Sequence, residues 1–245
     1  MISRTTRNNI DCKAVSELQV LYEDNHLIAV NKRPGDIVQG DKTGDEPLSE
    51  IVKRYIGSKY QKPGAVFLGT IHRIDRPVSG VVLFARTSKA LERMNEQFRS
   101  REVQKTYWAV TQQIPNPVEG KLVHYLLKKE SLNKSFASLQ ETQGSSRCEL
   151  DYRVLASTER YTLVQVLPLT GRHHQIRVQL SAIGCPIKGD LKYGAKRSNP
   201  DGSIHLHARK LEFLHPVTKE PISIEAKVPK DNLWEDLEKM VTSDK

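Results

Sequence analysis

The order of strand-like and helix-like segments is the feature that most constrains the fold of this chain. Short runs rich in β-branched, aromatic or continuous apolar residues are typical of strands, and they occur at residues 18–22, 27–31, 81–85, 106–111, 161–167, 204–208 and 222–226. Helical spacing of apolar residues occurs at 48–56, 91–98, 176–183 and 233–241. These segments do not follow the regular strand–helix–strand alternation of a parallel sheet. The sequence therefore predicts an α+β fold with a mixed, mostly antiparallel sheet flanked by helices.

Turn and cap residues set the expected ends of these elements. Gly57 is a plausible stop for the first helix, Ser88 a plausible N-cap for the second, and Gly184 ends the third. Loops are predicted at 112–120 and 131–147. The second of these has no apolar period, so we expect it to be mobile.

Composition and charge narrow the class of protein. The chain has 245 residues, of which 38% are hydrophobic and 27% charged, enough for one large domain or two small ones. It contains no run of the roughly 20 apolar residues that a membrane helix needs. The first twelve residues show no apolar run after their arginines, which argues against a secretory signal, so we expect a cytoplasmic protein.

The formal net charge of +9 favours a polyanionic partner such as RNA or DNA. An anionic membrane surface, or a basic surface that only keeps the protein soluble, would also explain it. Cys12, Cys148 and Cys185 are few and far apart, which predicts reduced thiols and argues against a disulfide framework or a cysteine zinc site.

Asp75 is the first candidate for chemistry. It lies between Arg73 and Arg76, and Pro77 and Gly80 predict a turn just before the strand at 81–85. Neighbouring arginines keep a carboxylate ionised, and a fixed, ionised carboxylate could act as a nucleophile or base. The alternative is an ordinary turn aspartate that makes local hydrogen bonds.

Tyr107 is the second candidate. Tyr107 and Trp108 are adjacent on a predicted strand, so they point to opposite faces of the sheet. One of them should lie in the core, and the other could face a cleft. A tyrosine in a cleft could stack on a base and use its hydroxyl as an acid or base. The alternative is an ordinary half-buried aromatic residue.

The third candidate segment is the basic run at 170–177. A helix is predicted to open at Thr170 or its neighbour, which would place His173, His174 and Arg177 on one side of that helix. Adjacent histidines cannot converge on a metal as an i, i+4 pair does, so we expect no metal. His205 and His207 share a strand face without an apparent third ligand.

Together these segments resemble the motifs of the RluA family of pseudouridine synthases. The similarity covers residues 22–229 and rests on several segments that occur in the expected order, at 31–35, 72–80, 105–109, 171–177, 189–194 and 207–216. Two departures affect local loop contacts: Val78 stands where the family usually has a hydroxyl residue, and Arg33 is inserted between a lysine and a proline that are usually adjacent. Because the stretch before Tyr22 is short, we expect no small S4-type RNA-binding domain of the kind that some relatives carry.

The resemblance implies one catalytic domain over residues 1–245, with a central basic cleft in the pseudouridine synthase fold. The reaction breaks the N1–C1′ bond of a uridine, turns the base and joins C5 to C1′, and it implies no cofactor. Asp75 would attack the ring or the sugar or remove a sugar proton, Tyr107 would stack on the uracil, and Arg177 would pair with Asp75.

The resemblance also implies RNA as the partner, in a ribosomal or transfer RNA stem-loop, and we expect a monomer. A base inside a helix must be flipped out to react, and Arg73 is a candidate to fill the vacated space or hold a phosphate. Further candidate RNA contacts are His72, Lys32, Arg172, His174, Lys128, Lys129 and Lys134.

Two other functions stay open from the sequence. One is a catalytically silent RNA-binding or ribosome-assembly factor on the same fold, which the intact set of Asp75, Tyr107 and Arg177 argues against. The other is a glycosidase-like hydrolase that uses Asp75, but that chemistry normally needs a second carboxylate about 5–10 Å away, and the sequence shows no obvious partner.

Overall fold

One mixed sheet runs through the part of the chain that the computed structural model describes, residue 15 and residues 17–243. The expectations about Cys12 and about the absence of a secretory signal in the first twelve residues concern positions outside the described residues. The described strands are β1 (Val20–Glu23), β2 (Leu27–Lys32), β3 (Gly69–Thr70), β4 (Ser79–Ala85), β5 (Gln104–Thr111), β6 (Glu119–Lys129), β7 (Lys134–Ser138), β8 (Ser146–Ser157), β9 (Thr162–Pro168), β10 (Leu206–Leu214) and β11 (Pro221–Glu225).

The strand order is β1-β2-β4-β10-β5-β9-β8-β6-β7, with β3 beside β4 and β11 beside β10. The β4–β10 pair is parallel, and the other described pairs are antiparallel. The prediction of a mixed, mostly antiparallel sheet is therefore confirmed. The parallel pair lies inside the sheet, as the third and fourth strands of this order. The segment that contains Asp75 leads directly into β4.

Four helices flank the sheet within the described residues: α1 (Leu48–Lys59), α2 (Ser88–Arg99), α3 (Gln175–Ala182) and α4 (Asn232–Ser243). Successive residues of β4 belong to different apolar clusters, because strand side chains alternate between faces. Val82 and Phe84 pack with α1 and α3, whereas Val81 and Leu83 pack with α2. On β5, Ala109 joins the first cluster and Trp108 packs under α4. Helices α1 and α3 thus cover one face, and α2 and α4 cover the other.

Gly80 allows β4 and β10 to approach closely. Its φ is +117°, and an added Cβ would lie 2.3 Å from the carbonyl oxygen of Ala208. A side chain cannot be placed there without moving the backbone of β10, and the positive φ also favours glycine. The glycine therefore fixes how the strand that follows Asp75 enters the sheet.

Two predicted helix boundaries were wrong. Helix α1 continues through Gly57 to Lys59, since a helical glycine costs only about 1 kcal/mol and no other breaker stands there. The N-cap of α2 is Thr87, not Ser88, because the Thr87 hydroxyl accepts a hydrogen bond from the Ala90 amide at 3.2 Å. The cap thus lies one residue earlier than predicted.

The predicted loop at 131–147 was wrong in part, because only residues 139–145 lie outside helices and strands as a continuous loop. It contains β7, which pairs with β6 in a hairpin, and its last residues begin β8. The fully buried residue of β7 is the polar Ser135, and β6 carries His124 among its inward residues, so the sequence shows no clear apolar alternation. Backbone pairing with β6, which side-chain patterns do not report, makes this segment a strand.

No helix in residues 17–243 is long and apolar enough to cross a membrane. Cys148 and Cys185 are both buried free thiols, in agreement with the expectation for these two residues.

Candidate active site

Asp75 lies in a turn, and Lys32 holds the backbone of that turn through hydrogen bonds. The Lys32 ammonium donates to the carbonyl oxygens of Arg33 at 2.8 Å, Asp36 at 2.7 Å and Arg76 at 3.0 Å. Its side chain is 1% exposed, and burial lowers its pKa to about 7 against the opposing effect of Asp36 and Asp75. Lys32 therefore ties the end of β2 to the residue that follows Asp75.

Arg177, on α3, connects two carboxylates. Its Nε and Nη2 atoms donate to the two oxygens of Asp190 at 2.7 and 2.9 Å, and its Nη1 donates to Asp75 Oδ2 at 2.9 Å. Burial works to lower the pKa of Arg177, but the hydrogen bonds and charges of Asp190 and Asp75 outweigh it and raise the pKa. A bidentate bond fixes the plane of the guanidinium, so Asp190 determines where Arg177 meets Asp75.

The segment before α3 is a turn and not a helix, so the predicted helix start at Thr170 was wrong. The Gln175 side-chain oxygen accepts from the Thr170 hydroxyl at 2.8 Å and from the Arg172 amide at 3.1 Å. Side-chain bonds of this kind compete with helical ones and hold the backbone in a turn. His174 is the N-cap residue, with φ +54°, and α3 begins at Gln175.

His174 also lies close to the Asp75 carboxylate. Its Nε2 atom is 3.6 Å from Asp75 Oδ2, and its ring stacks on His173 with 3.6 Å between centroids. Its Nδ1 atom is 2.8 Å from the hydroxyl oxygen of Tyr193. The structure thus brings His174 and Arg177 to the same oxygen of Asp75, although His173 and His174 precede the helix.

Tyr107, on β5, lines the same cleft as Asp75. Trp108 beside it packs under α4, so Trp108 is the core residue of the pair and Tyr107 is the one in the cleft. Burial, with a smaller effect from the Asp75 charge, raises the pKa of Tyr107 well above its usual value of 10. Its hydroxyl therefore keeps its proton at neutral pH.

The cleft has a volume of about 120 Å³ and a basic rim. Asp75 and Arg177 line it together with Tyr107, His174 and the apolar residues Ile74, Val78, Ile176 and Leu206. Arg73 and Arg172 are exposed and lie on its wall with the half-buried Lys105. A flat, neutral ring can be held between these apolar and aromatic groups, and the arginines suit phosphates outside it.

Two of the predicted RNA contacts, His72 and Lys32, have internal partners and do not line the cleft. His72 Nε2 accepts from the Leu83 amide at 3.0 Å, its ring stacks on Phe98 at 5.1 Å, and burial lowers its pKa to about 4. Lys32 is used by the three carbonyl groups described above. Neither residue lines the cleft, so these positions give no support to a direct contact with RNA.

The lysines of the β6–β7 hairpin lie near the site but outside the cleft. Lys128 pairs with Glu130 at 2.8 Å, and Lys129 and Lys134 lie over the Phe136 ring at 5.2 and 5.6 Å. The hairpin is tied to the site, because Asn133 Oδ1 is 3.0 Å from His173 Nε2.

Asp190, Tyr193 and Ser135 all support the site, although no individual role was predicted for them and only Asp190 and Tyr193 lie in a motif segment, at 189–194. Ser135 donates its amide to the Tyr193 hydroxyl at 2.9 Å, and its own hydroxyl donates to the His173 carbonyl at 2.8 Å. One signal was available: a buried arginine needs a carboxylate partner, and Asp190 follows the helix that carries Arg177. The residues described contain no group of three or more histidine, cysteine, aspartate or glutamate side chains that could hold a metal.

Comparisons with known proteins agree on the family. The family model for RNA pseudouridylate synthase matches residues 26–182. The ribosomal large subunit pseudouridine synthase C of Vibrio vulnificus is 35% identical over 238 residues, which cover 94% of this chain and 70% of the relative. The tRNA pseudouridine synthase C of Haemophilus influenzae is 34% identical over 242 residues, which cover 90% of this chain and 96% of the relative.

A solved structure shows the same fold. The human RNA pseudouridylate synthase domain containing 4 matches with a TM-score of 0.77 and 25% identity, over 97% of this chain and 98% of that one. The match extends over nearly the whole of both chains, so it includes the sheet and the helices that carry the cleft. The family model, the relatives and this likeness together show that the chain belongs to the RluA family of RNA pseudouridine synthases.

Proposed function

We propose that this RNA pseudouridine synthase isomerises specific uridines in structured ribosomal or transfer RNA, with Asp75 as the catalytic nucleophile or base. The observation that carries the proposal is the position of Asp75. Its Oδ2 atom is fixed 2.9 Å from Arg177 in a cleft that Tyr107 also lines. The relatives named above act, by their names, on large-subunit ribosomal RNA and on tRNA, which supports both as substrate classes.

Tyr107 and Arg177 have distinct roles in this proposal. The Tyr107 ring forms a wall against which a uracil stacks, and its hydroxyl, protonated at neutral pH, can donate to the base. Arg177 orients Asp75 through its hydrogen bond to Oδ2. The reaction rearranges one nucleoside without net oxidation or loss of a group, so these side chains suffice for the proton and bond changes and no cofactor is proposed.

The target base must leave its stack to reach Asp75, at a cost of a few kcal/mol. Arg73, exposed at the wall of the cleft, is the residue we assign to the vacated space or to a flanking phosphate. Arg172 and the hairpin residues Lys128, Lys129 and Lys134 extend the basic surface outward from the cleft. We propose that the chain works in the cytoplasm as a monomer with one catalytic domain.

Replacing Asp75 by asparagine tests the proposal. Asp75→Asn keeps the shape of the side chain but removes the nucleophile or base, so we expect pseudouridine formation to fall by at least about 1,000-fold. The measurement is tritium release from [5-³H]uridine-labelled RNA, with folding checked by thermal melting and RNA affinity by titration. Asp236→Asn on α4, which covers the opposite face of the sheet, is the matched control.

Activity of Asp75→Asn within tenfold of the wild type would overturn the role of Asp75. Free uracil among the products would instead indicate a hydrolase. A hydrolase would need a second carboxylate. The nearby Asp190 is 1% exposed and has both oxygens bonded to Arg177, so it is not free for that role.

A further inference from the structure

His174 has a backbone conformation that directs its ring to Asp75. Its φ of +54° and ψ of +23° lie in the left-handed region, which a residue other than glycine rarely adopts. Such conformations persist where the surroundings fix them, and they are concentrated at functional sites. The residue is 9% exposed, and its Nε2 atom is 3.6 Å from Asp75 Oδ2. Nε2 can donate a hydrogen bond to Asp75 only if it carries a hydrogen.

The hydrogen bonds of Tyr193 determine which ring nitrogen of His174 carries the hydrogen. Its hydroxyl oxygen accepts from the Ser135 amide at 2.9 Å, a bond in which the backbone N–H can only donate. The hydroxyl hydrogen is then available to the Nδ1 atom of His174, 2.8 Å away. Nδ1 accepts that hydrogen, so in a neutral ring the proton must lie on Nε2, which faces Asp75.

The other tautomer leaves two groups unsatisfied. If Nδ1 donated to Tyr193, the phenol oxygen would receive two N–H groups, and its own hydrogen would have no acceptor among the hydrogen bonds of the described residues. Tyr193 is only 4% exposed, so water cannot easily supply one. In addition, the bare Nε2 lone pair would face the carboxylate oxygen of Asp75. Both effects favour the Nε2–H form.

The ring is neutral at physiological pH. Burial, with Arg177 and other nearby cations, lowers the pKa of His174 to about 2. Burial also raises the pKa of Tyr193, which keeps its hydroxyl hydrogen in place. His174 therefore presents an N–H dipole to Asp75 and not a second positive charge.

The two groups that face Asp75 meet the same oxygen. Arg177 Nη1 donates to Oδ2 at 2.9 Å, and His174 Nε2 lies 3.6 Å from it, a distance that a small closure on RNA binding would turn into a hydrogen bond. No hydrogen bond of the described residues engages Oδ1. Held in this way, the carboxylate of a cleft-lining residue has Oδ2 fixed, and its Oδ1 is not engaged by those bonds.

We propose that His174 is a positioning residue, held by Tyr193 as the neutral Nε2–H tautomer, which together with Arg177 fixes Oδ2 of Asp75 and leaves Oδ1 as the atom that reacts with the nucleotide. The statement about the reacting oxygen rests on the proposed function, whereas the statement about the tautomer does not. The two can therefore be tested separately.

The tautomer is read directly by long-range ¹H–¹⁵N spectra of protein labelled with ¹⁵N-histidine, with His174→Gln used to assign the signal. At pH 7 we expect the wild-type His174 to show the Nε2–H pattern. In Tyr193→Phe, Nδ1 loses its donor, so we expect a shift toward a mixture of tautomers. A wild-type spectrum of the Nδ1–H form or of an imidazolium would overturn the proposal.

The positioning role is read from single-turnover rates on RNA that contains the target uridine. His174→Gln can still direct an amide N–H toward Oδ2, whereas the shorter His174→Asn cannot. We expect His174→Asn and Tyr193→Phe to slow the step by roughly 10- to 100-fold at saturating RNA, with RNA affinity within about threefold of the wild type. His174→Gln should recover most of the rate. His26→Asn, at the β1–β2 turn, is the control.

Each outcome separates the two proposals. An active wild type with unchanged rates in His174→Asn and Tyr193→Phe overturns this inference and leaves the proposed function standing. Equal losses in His174→Gln and His174→Asn also overturn it, because they would indicate packing of the ring and not its N–H group. A wild type that forms no pseudouridine but shows the Nε2–H pattern overturns the proposed function and leaves the tautomer correct.

Discussion

At the scale of single residues, the site depends on buried polar side chains whose partners lie inside the protein. Lys32, Arg177 and Asp190 are each 5% exposed or less, and each meets groups of the protein and not solvent. Removing charges from water is costly, and a buried ion pair is often no more stable than apolar residues of the same size. We therefore interpret these residues as fixing the geometry around Asp75 and not as a source of stability.

Arg177→Lys tests this interpretation. Lysine keeps the positive charge but lacks the planar group that bonds Asp190 with two atoms and Asp75 with a third. We expect a loss of at least about 100-fold in the rate at saturating RNA, with only a modest loss of RNA affinity. Rates from single turnovers and affinities from titration separate the two effects.

The matched control is Arg209→Lys, because Arg209 is also a mostly buried arginine that contacts two carboxylates, Glu225 at 2.6 Å and Glu238 at 2.7 Å. It should leave the rate unchanged. If Arg177→Lys instead lost affinity and kept its rate at saturation, Arg177 would be an RNA-backbone contact and its assigned role would be wrong.

At the scale of elements, the β6–β7 hairpin connects the basic surface to the active site. β7 is the last strand in the sheet order, and lysines on an edge strand can serve simply to prevent association with other strands. However, Asn133 and Ser135 bond to His173, so the hairpin is also joined to the segment that carries His174. Edge protection and RNA binding predict different responses to salt.

Reversing the charges of Lys128, Lys129 and Lys134 distinguishes the two explanations. Phosphate contacts release counterions, so the logarithm of the affinity falls with the logarithm of salt by about 0.7–0.9 per neutralised phosphate. For about 4–6 contacts we expect a wild-type slope of roughly −3 to −5, and a flatter slope in the triple Lys→Glu variant. Titration at several salt concentrations measures it, and the rate at saturation should change little.

A second triple variant controls for net charge. Lys89, Arg99 and Lys239 lie on α2 and α4, which cover the face opposite to the cleft, and their reversal to glutamate changes the charge equally. It should leave a slope close to that of the wild type. Equal slopes in the hairpin variant and the wild type would show that these three lysines do not contact RNA.

At the scale of the whole molecule, the fold buries several histidines without charge. Burial lowers the pKa of His72, His205 and His207 from 6.5 to about 4 in each case. His207 is fully buried, with Nδ1 2.8 Å from the Ser79 hydroxyl and Nε2 3.2 Å from the Ala226 carbonyl. These residues link the stability of the sheet to pH.

We expect the free energy of unfolding to fall as pH decreases from about 6.5 to about 4. In that window the unfolded chain binds protons that the folded histidines exclude, so each such residue contributes a slope of about 1.4 kcal/mol per pH unit. Urea unfolding between pH 7 and pH 4.5 measures this. His207→Gln should lower the slope of unfolding free energy against pH by the contribution of one histidine, about 1.4 kcal/mol per pH unit.

Ser79→Ala serves as its control, because it removes the hydroxyl partner of His207 and keeps the group that titrates. It should reduce stability at all pH values but retain the wild-type slope. A slope in His207→Gln equal to that of the wild type would contradict the assignment of a neutral, buried His207.

The sequence by itself determined the class of the fold and the family to which the chain belongs. Apolar periodicity is a local property, so it correctly indicated β2, β4 and β5 and the inner faces of α1 to α3. The motif around Asp75 depended on residue types and their order, and the family it indicated is the one that the comparisons show. Apolar periodicity did not locate β6, β7 or β8, and the fully buried residue of β7 is the polar Ser135.

Tertiary structure alone decided how the site is assembled. Asp75 and Arg177 are 102 residues apart in the chain. They meet because β4, which follows Asp75, pairs with β10 inside the sheet, and because α3, which carries Arg177, packs on that sheet. The bonds of Asp190 to Arg177 and of Tyr193 to His174 depend on a turn after α3 and on a hairpin that the sequence pattern did not reveal. Residue spacing reports which side of one element a residue lies on, whereas hydrogen bonds between elements depend on packing across the whole sheet.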